Sequence, residues 1–245
     1  MGASDTRRMG KPAPTKNFEN RILAALPPEE YARLKDSFQI LPLRRKAVLN
    51  EPGRPLMDTV YFLRTAVASM VTTMENGSTL EIATVGNEGV VGLPVLLGTE
   101  TMRTEVFIQI GGEAVALPAS VVREAVRVGK PLGRVLQRYT QALLAQIAQS
   151  AACNQLHPIE RRCARWLLLS HDRVPGDEIP LTQEFLAQML GVRRATVTTA
   201  ASVLQRAGFI RSRRGRVLIV DREGLEGASC ECYRVIRAEY ERPVR

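Results

Sequence analysis

Two apolar stripes near the C-terminus give the clearest pattern in the chain. Within residues 181–220, Phe185, Leu186, Met189 and Leu190 recur at the spacing of one buried helix face, with Thr182 placed as N-cap and Gly191 as terminator. A second helix over residues 193–207 sets Val197, Ala200, Ala201 and Leu204 on one side. Its opposite side carries Ala195, Thr198, Thr199, Ser202 and Arg206, flanked by Arg194, with no acidic residue among them. Gly208 closes it. The runs 209–212 and 216–220, around Arg213-Arg214-Gly215, predict a hairpin bearing Arg211, Arg213, Arg214 and Arg216.

Upstream the period changes. Residues 39–117 hold short runs of Val, Ile, Thr and Phe separated by turn residues, the pattern of a small antiparallel roll. Its strongest signal is a hairpin turning through Glu75-Asn76-Gly77-Ser78. Gly86, Gly89 and Gly92 punctuate the next stretch and read as strand turns or as a close backbone approach to an anion. A short helix is predicted over 119–128. A long one runs from Pro131 to about Leu156, where Leu132, Leu136, Tyr139, Leu143 and Ile147 recur at steps of three or four, as in a two-stranded coiled coil; Val135 and Leu144 widen the stripe, so the helix is expected to pack on its own β domain and on a partner at once, the alternative being a helix docked only in cis. His157-Pro158 interrupts it, and Ile159, Cys163, Trp166 and Leu167 form the inner side of the helix that follows.

The expected organisation is a mobile basic tail (1–16), a β-roll sensor with flanking helices (17–128), a dimerisation helix (129–157), a winged helix-turn-helix (158–222) and a C-terminal helical extension (223–245) that docks through Tyr233, Ile236 and Tyr240. The fold class is α+β: an N-terminal antiparallel β-roll, a long helix and a C-terminal winged helix-turn-helix.

Composition sharpens the choice of partner. The 245 residues are 45% hydrophobic and 24% charged, with a formal net charge of +9, which favours a polyanion through counterion release. No apolar run approaches a membrane span and no apolar signal core opens the chain, so a cytoplasmic protein without a membrane partner is expected. The basic two-helix unit then reads as a head for double-stranded DNA. The expected contacts are Thr182, Gln183, Arg193, Arg194, Ala195, Thr196, Thr198, Thr199, Ser202, Arg206, Arg213, Arg214 and Arg216. Cys153, Cys163, Cys230 and Cys232 are too few for a disulfide framework. Cys153 and His157 have helical i, i+4 spacing, but no second ligand pair is evident and Cys230-x-Cys232 is a poor chelating spacing. A structural role and no metal are therefore expected. The two histidines lack an obvious carboxylate or nucleophile partner, and no catalytic signature is present, so the chain is not read as an enzyme.

Taken in order, these segments resemble the Crp/Fnr family of bacterial transcription regulators over about residues 18–222. The resemblance implies a cyclic-nucleotide-binding-like roll, a homodimer held through Leu132, Leu136, Tyr139, Leu143 and Ile147, a two-fold symmetric operator and RNA polymerase as a further partner. It places base-reading positions on Arg194, Ala195 and Thr199; an acidic residue and an arginine, common in cyclic-AMP-type members, are absent from the last two. The family's phosphate cassette falls on Gly92-Leu93 and Arg103-Thr104, the effector site implied here for a small nucleotide-like molecule. Leu93 stands where the ribose-binding carboxylate belongs, which counts against cyclic AMP. No cysteine precedes position 153 to hold an N-terminal iron–sulfur cluster, and no histidine lies in the roll to hold a haem. The competing readings are a sensor module docking a protein partner and a regulator without an effector.

Overall fold

The computed structural model describes residues 19–242, so the expected 1–16 tail lies outside the described residues. Two short helices, α1 (Arg21–Ala24) and α2 (Pro28–Lys35), lead into eight strands: β1 (Gln39–Leu43), β2 (Val48–Asn50), β3 (Thr59–Leu63), β4 (Val67–Thr73), β5 (Thr79–Val85), β6 (Val90–Val91), β7 (Glu105–Ile110) and β8 (Gly112–Pro118). They form two antiparallel four-stranded sheets, ordered β1-β8-β3-β6 and β2-β7-β4-β5, which enclose a core around Val60, Phe62, Ile108 and Leu117. The β4–β5 hairpin turns at Met74–Ser78 with Gly77 at φ 80°, a conformation that the Asn-Gly pair tolerates.

Helix α3 (Ala119–Arg127) closes the roll and α4 (Pro131–Leu156) runs along it. The stripe expected to pair two chains is consumed within one: Leu132 and Leu136 are fully buried, Tyr139 and Leu143 nearly so, and Ile147 packs on the same core. Gly89 permits this close approach, since a side chain there would meet the Tyr139 ring at 2.4–2.6 Å. The phenol donates to the Val90 carbonyl at 3.3 Å. Gly89 thus seats a side chain. Gly86 likewise makes room for Arg173, whose side-chain carbons would lie 2.5–2.7 Å from an added Cβ.

Beyond the break at His157, α5 (Ile159–His171), β9 (Glu178–Ile179), α6 (Gln183–Leu190), α7 (Arg194–Arg206), β10 (Ile210–Arg213) and β11 (Arg216–Ile219) build the second domain. Its three strands pair antiparallel in the order β10-β11-β9. Two helices follow where one was expected, α8 (Arg222–Ala228) and α9 (Cys232–Glu241). Tyr233 and Ile236 of α9 are buried as expected, and the Tyr240 hydroxyl donates to Gln146 Oε1 of α4 at 2.6 Å.

The second domain packs on the outer face of the β2-β7-β4-β5 sheet. One face of an antiparallel sheet is commonly left to solvent. Here Val67, Val71 and Ile110 join the core of the second domain instead. Phe107 meets Phe185 edge-on at 6.1 Å, and Phe185 meets Trp166 at 6.5 Å. Two polar clasps cross the same contact, Trp166 Nε1 to Glu81 Oε1 at 2.7 Å and Arg173 Nε to Glu88 Oε1 at 2.8 Å.

Candidate DNA interface and effector cavity

Helix α6 starts where its cap predicts: Thr182 Oγ1 accepts from the Phe185 amide at 3.2 Å. It ends at Gly191, whose φ of 63° a residue with a Cβ would hold only under strain, and whose added Cβ would lie 2.8 Å from Leu80 of the roll. After this turn α7 begins at Arg194, with Arg193 in the cap position and making no side-chain cap. Val197, Ala200, Ala201 and Leu204 are buried, which turns the remaining side of α7 outward. Arg193, Arg194, Ala195, Thr196, Thr198, Thr199, Ser202 and Arg206 are all exposed, as are Thr182, Arg213, Arg214 and Arg216; Gln183 is half-buried.

The hydroxyls of this face are already engaged as donors. Thr198 Oγ1 donates toward Gln183 Oε1 at 2.8 Å and the Arg194 carbonyl at 3.0 Å, Thr199 Oγ1 to the Ala195 carbonyl at 3.2 Å, and Ser202 Oγ to the Thr198 carbonyl at 2.8 Å. Each therefore presents acceptor lone pairs outward. The wing is tied to α7 by the Ser212 amide, which donates to Gln205 Oε1 at 2.8 Å. A groove of about 490 Å³ runs between the N-termini of α6 and α7 and the wing, lined by Thr182, Gln183, Arg194, Arg213, Arg214 and Arg216 among others. Arg216, itself exposed, is ion-paired with Glu178 of β9, a strand the sequence pattern did not reveal.

The sensor half departs further from expectation. Gly92, at φ 112°, caps a short 3₁₀ turn (Leu93–Leu97), and both Gly92 and the buried Leu93 line a cavity of about 150 Å³. Arg103 and Thr104 are not part of its lining; Arg103 is exposed and the Thr104 carbonyl accepts from Asn50 Nδ2 at 2.7 Å. The walls are mainly apolar, with Tyr61, Met70, Met102 and Leu143 among them, and Thr140 and Leu143 bring α4 into the lining.

The second ligand pair missing from the sequence is supplied by the fold, because Cys230 and Cys232 come to Cys153 and His157 with all four ligand atoms within 4.8 Å of one another. Local spacing could not show this, since 77 residues separate Cys153 from Cys230.

Residues 161–228 match the family model of the Crp-like helix-turn-helix domain. No curated protein shows significant sequence similarity to the chain. Among solved structures, FixK2 from Bradyrhizobium japonicum is 18% identical, covering 79% of this chain and 98% of its own, with a TM-score of 0.67. A transcriptional regulator of the Crp/Fnr family from Eubacterium rectale is 13% identical, covering 87% of this chain and 99% of its own, with a TM-score of 0.65. The regulator TTHA1359 from Thermus thermophilus is 22% identical, covering 78% of this chain and 98% of its own, with a TM-score of 0.63. At these identities the likeness establishes the fold: a β-roll, a long helix and a C-terminal helix-turn-helix. Residues 161–228 thus match a Crp-like helix-turn-helix domain, and the chain as a whole shares the fold of these Crp/Fnr-type regulators.

Proposed function

We propose that the protein is a homodimer that reads a two-fold symmetric operator, with one α7 in each of two major grooves and an effector in the β-roll setting its affinity. The observation that carries this reading is the outward face of α7, free of acidic side chains and continuous with the wing arginines. Arg194 opens α7 and can donate to a guanine edge. Thr198, Thr199 and Ser202, committed as donors to their own helix, favour base edges that donate, and Arg206, Arg213 and Arg214 take phosphates.

Dimerisation uses the side of α4 that the roll leaves uncovered. Gln137, Gln141, Leu144, Ala148, Ala151 and Gln155 are all exposed and fall at alternating steps of four and three, which is a seven-residue repeat. The alanines let two helices approach closely and Leu144, 58% exposed, supplies the large apolar contact. Two-fold symmetry then sets the half-sites about one helical turn, ~34 Å, apart. Because α4 also walls the cavity, a molecule bound there would act directly on the helix that spaces the two heads. The lining fits a small, largely apolar effector better than a cyclic nucleotide, since among the described residues no cation and no carboxylate faces the cavity.

Light scattering and gel shift on palindromic promoter fragments at fixed salt test the proposal together. The wild-type chain is expected to be dimeric and to prefer a symmetric site, and Leu144→Glu to shift it toward monomer. Arg194→Ala is expected to cost about 1–3 kcal/mol of specific binding, and Arg206→Ala to lower the salt slope by about one while affecting all sequences alike. A monomeric wild-type protein without sequence preference, or a double Arg194→Ala/Arg206→Ala variant that keeps full affinity, would sink it.

A further inference from the structure

Four ligand-type side chains meet where the long helix ends. Cys153 lies in the last turn of α4 and His157 is its C-cap, while Cys230 and Cys232 flank the start of α9. Cys153 Sγ is 3.5 Å from Cys230 Sγ, and Cys232 Sγ is 3.5 Å from His157 Nδ1. The three thiols are buried and unbridged, and they form a small cluster separate from both hydrophobic cores. A tetrahedral ion with sulfur at ~2.3 Å and nitrogen at ~2.0 Å holds its ligand atoms roughly 3.5–3.8 Å apart. The observed spacings have that scale, whereas a disulfide needs its sulfurs at ~2.05 Å.

The surroundings are those of a ligand set rather than of packed apolar thiols. His157 directs Nδ1 at the thiols and its Nε2 lies 3.3 Å from Glu231 Oε1, an arrangement in which a carboxylate fixes the tautomer of a metal-bound imidazole. Gln149 Nε2 donates to Cys232 Sγ at 3.1 Å. Nearby, Arg165 is 5% exposed and donates to Ser150 Oγ at 3.4 Å. Among the described residues no ion pair is formed by Arg165 or by Arg162, and the Nε of each is buried without a hydrogen bond. A buried cation such as Arg165 calls for anionic neighbours. Three thiolates around a dication carry one net negative charge, which supplies it.

We propose that Cys153, His157, Cys230 and Cys232 form a Cys₃His site for a single zinc-class divalent ion, which fastens the α8–α9 extension to the end of α4. Soft thiolates with one imidazole in a compact tetrahedron select zinc over hard cations, and four ligand atoms within 4.8 Å surround one ion more readily than a cluster of several irons. Each thiol that binds gives up its proton to solvent, so uptake of the ion releases protons. The position gives the site its consequence. His157 is the residue at which α4 stops, so the ion fixes the geometry of the break between the long helix and the DNA-binding domain, with α9 as a strut along α4.

The test is metal analysis of the reduced full-length protein, then removal of the ion with a chelator and titration with zinc or cobalt(II). One ion per chain is expected, with the visible absorption of tetrahedral thiolate-bound cobalt and a raised thermal midpoint. Cys153→Ser and Cys230→Ser should lose the ion. Cys163→Ser should keep it, since Cys163 lies in the core of the second domain, where burial pushes its thiol up to about 12. Should the cysteine variants fail to fold, Glu231→Gln at an exposed side chain is the deciding variant, with binding weakened about 10–100-fold at unchanged stoichiometry. A reduced protein that takes up neither ion, or one that closes a Cys153–Cys230 disulfide on mild oxidation without ever binding metal, overturns the assignment.

Discussion

Replacing Glu88 with alanine is expected to destabilise the folded chain by about 3–5 kcal/mol, because it strands a buried guanidinium. Arg173 and Glu88 have side chains only 4% and 7% exposed, and they join the second domain to the β-roll. Arg173 Nε and Nη2 reach Glu88 Oε1 at 2.8 and 2.7 Å, Nη1 donates to the Leu169 carbonyl at 2.6 Å, and the same carboxylate accepts from the Gly86 amide at 3.1 Å. Burial is the largest influence on Arg173 and works against its charge, but Glu88, by charge and hydrogen bond, together with Tyr240 and Asp172 holds the guanidinium above its ordinary value. Removing the carboxylate takes away the main partner and leaves the desolvation cost largely uncompensated. Replacing both partners with apolar residues of similar volume, as in Glu88→Met/Arg173→Leu, should cost far less than the single change. Denaturant unfolding of the three variants decides the matter; a Glu88→Ala protein within about 1 kcal/mol of wild type would refute the clasp.

The second large effect is expected at Trp166, where alanine should cost about 3–5 kcal/mol. The indole is 3% exposed, packs edge-on against Phe185, and donates to Glu81 across the domain contact. Trp166→Phe separates the two contributions by keeping most of the packing and removing the donor. Glu81 adds a pH dependence whose sign follows from its burial. Desolvation pushes its carboxyl above the ordinary 4.5, opposed by hydrogen bonds from Ser69, Thr84 and Trp166 and by Arg165. Its Oε2 is buried without a hydrogen-bond partner. The folded state therefore holds the carboxyl proton more tightly than the unfolded chain. The corresponding stability is fully present below pH 4.5 and is lost as pH rises through the raised folded value. Glu81→Gln should flatten that part of the stability–pH curve while still accepting from Trp166. An unchanged slope in this variant would place the dependence elsewhere.

Both clasps lie where the sequence is silent. Trp166 and Glu81 are 85 residues apart, as are Arg173 and Glu88, and nothing in the local pattern of either segment marks the other as a partner. The apolar Val67 and Val71 were readable as strand residues, but their outward face looked like the ordinary content of a β-rich run until the second domain was seen to cover it.

What the amino-acid sequence determined by itself was local. The capped α6, the glycine turn at 191, the four-residue apolar stripe of α7, the Asn-Gly hairpin and the proline-started α4 follow from backbone propensity and periodicity, which act over a few residues. Periodicity states that a helix has an apolar face and does not state what covers it. Leu132, Leu136 and Tyr139 were thus legible as a stripe, and only the tertiary structure assigned them to the β-roll and left Gln141, Leu144 and Ala148 free. The same limit hid the meeting of two cysteine pairs that spacing alone had set aside. Proximity of residues far apart in the chain is decided by how whole elements pack, and no short-range pattern carries that information.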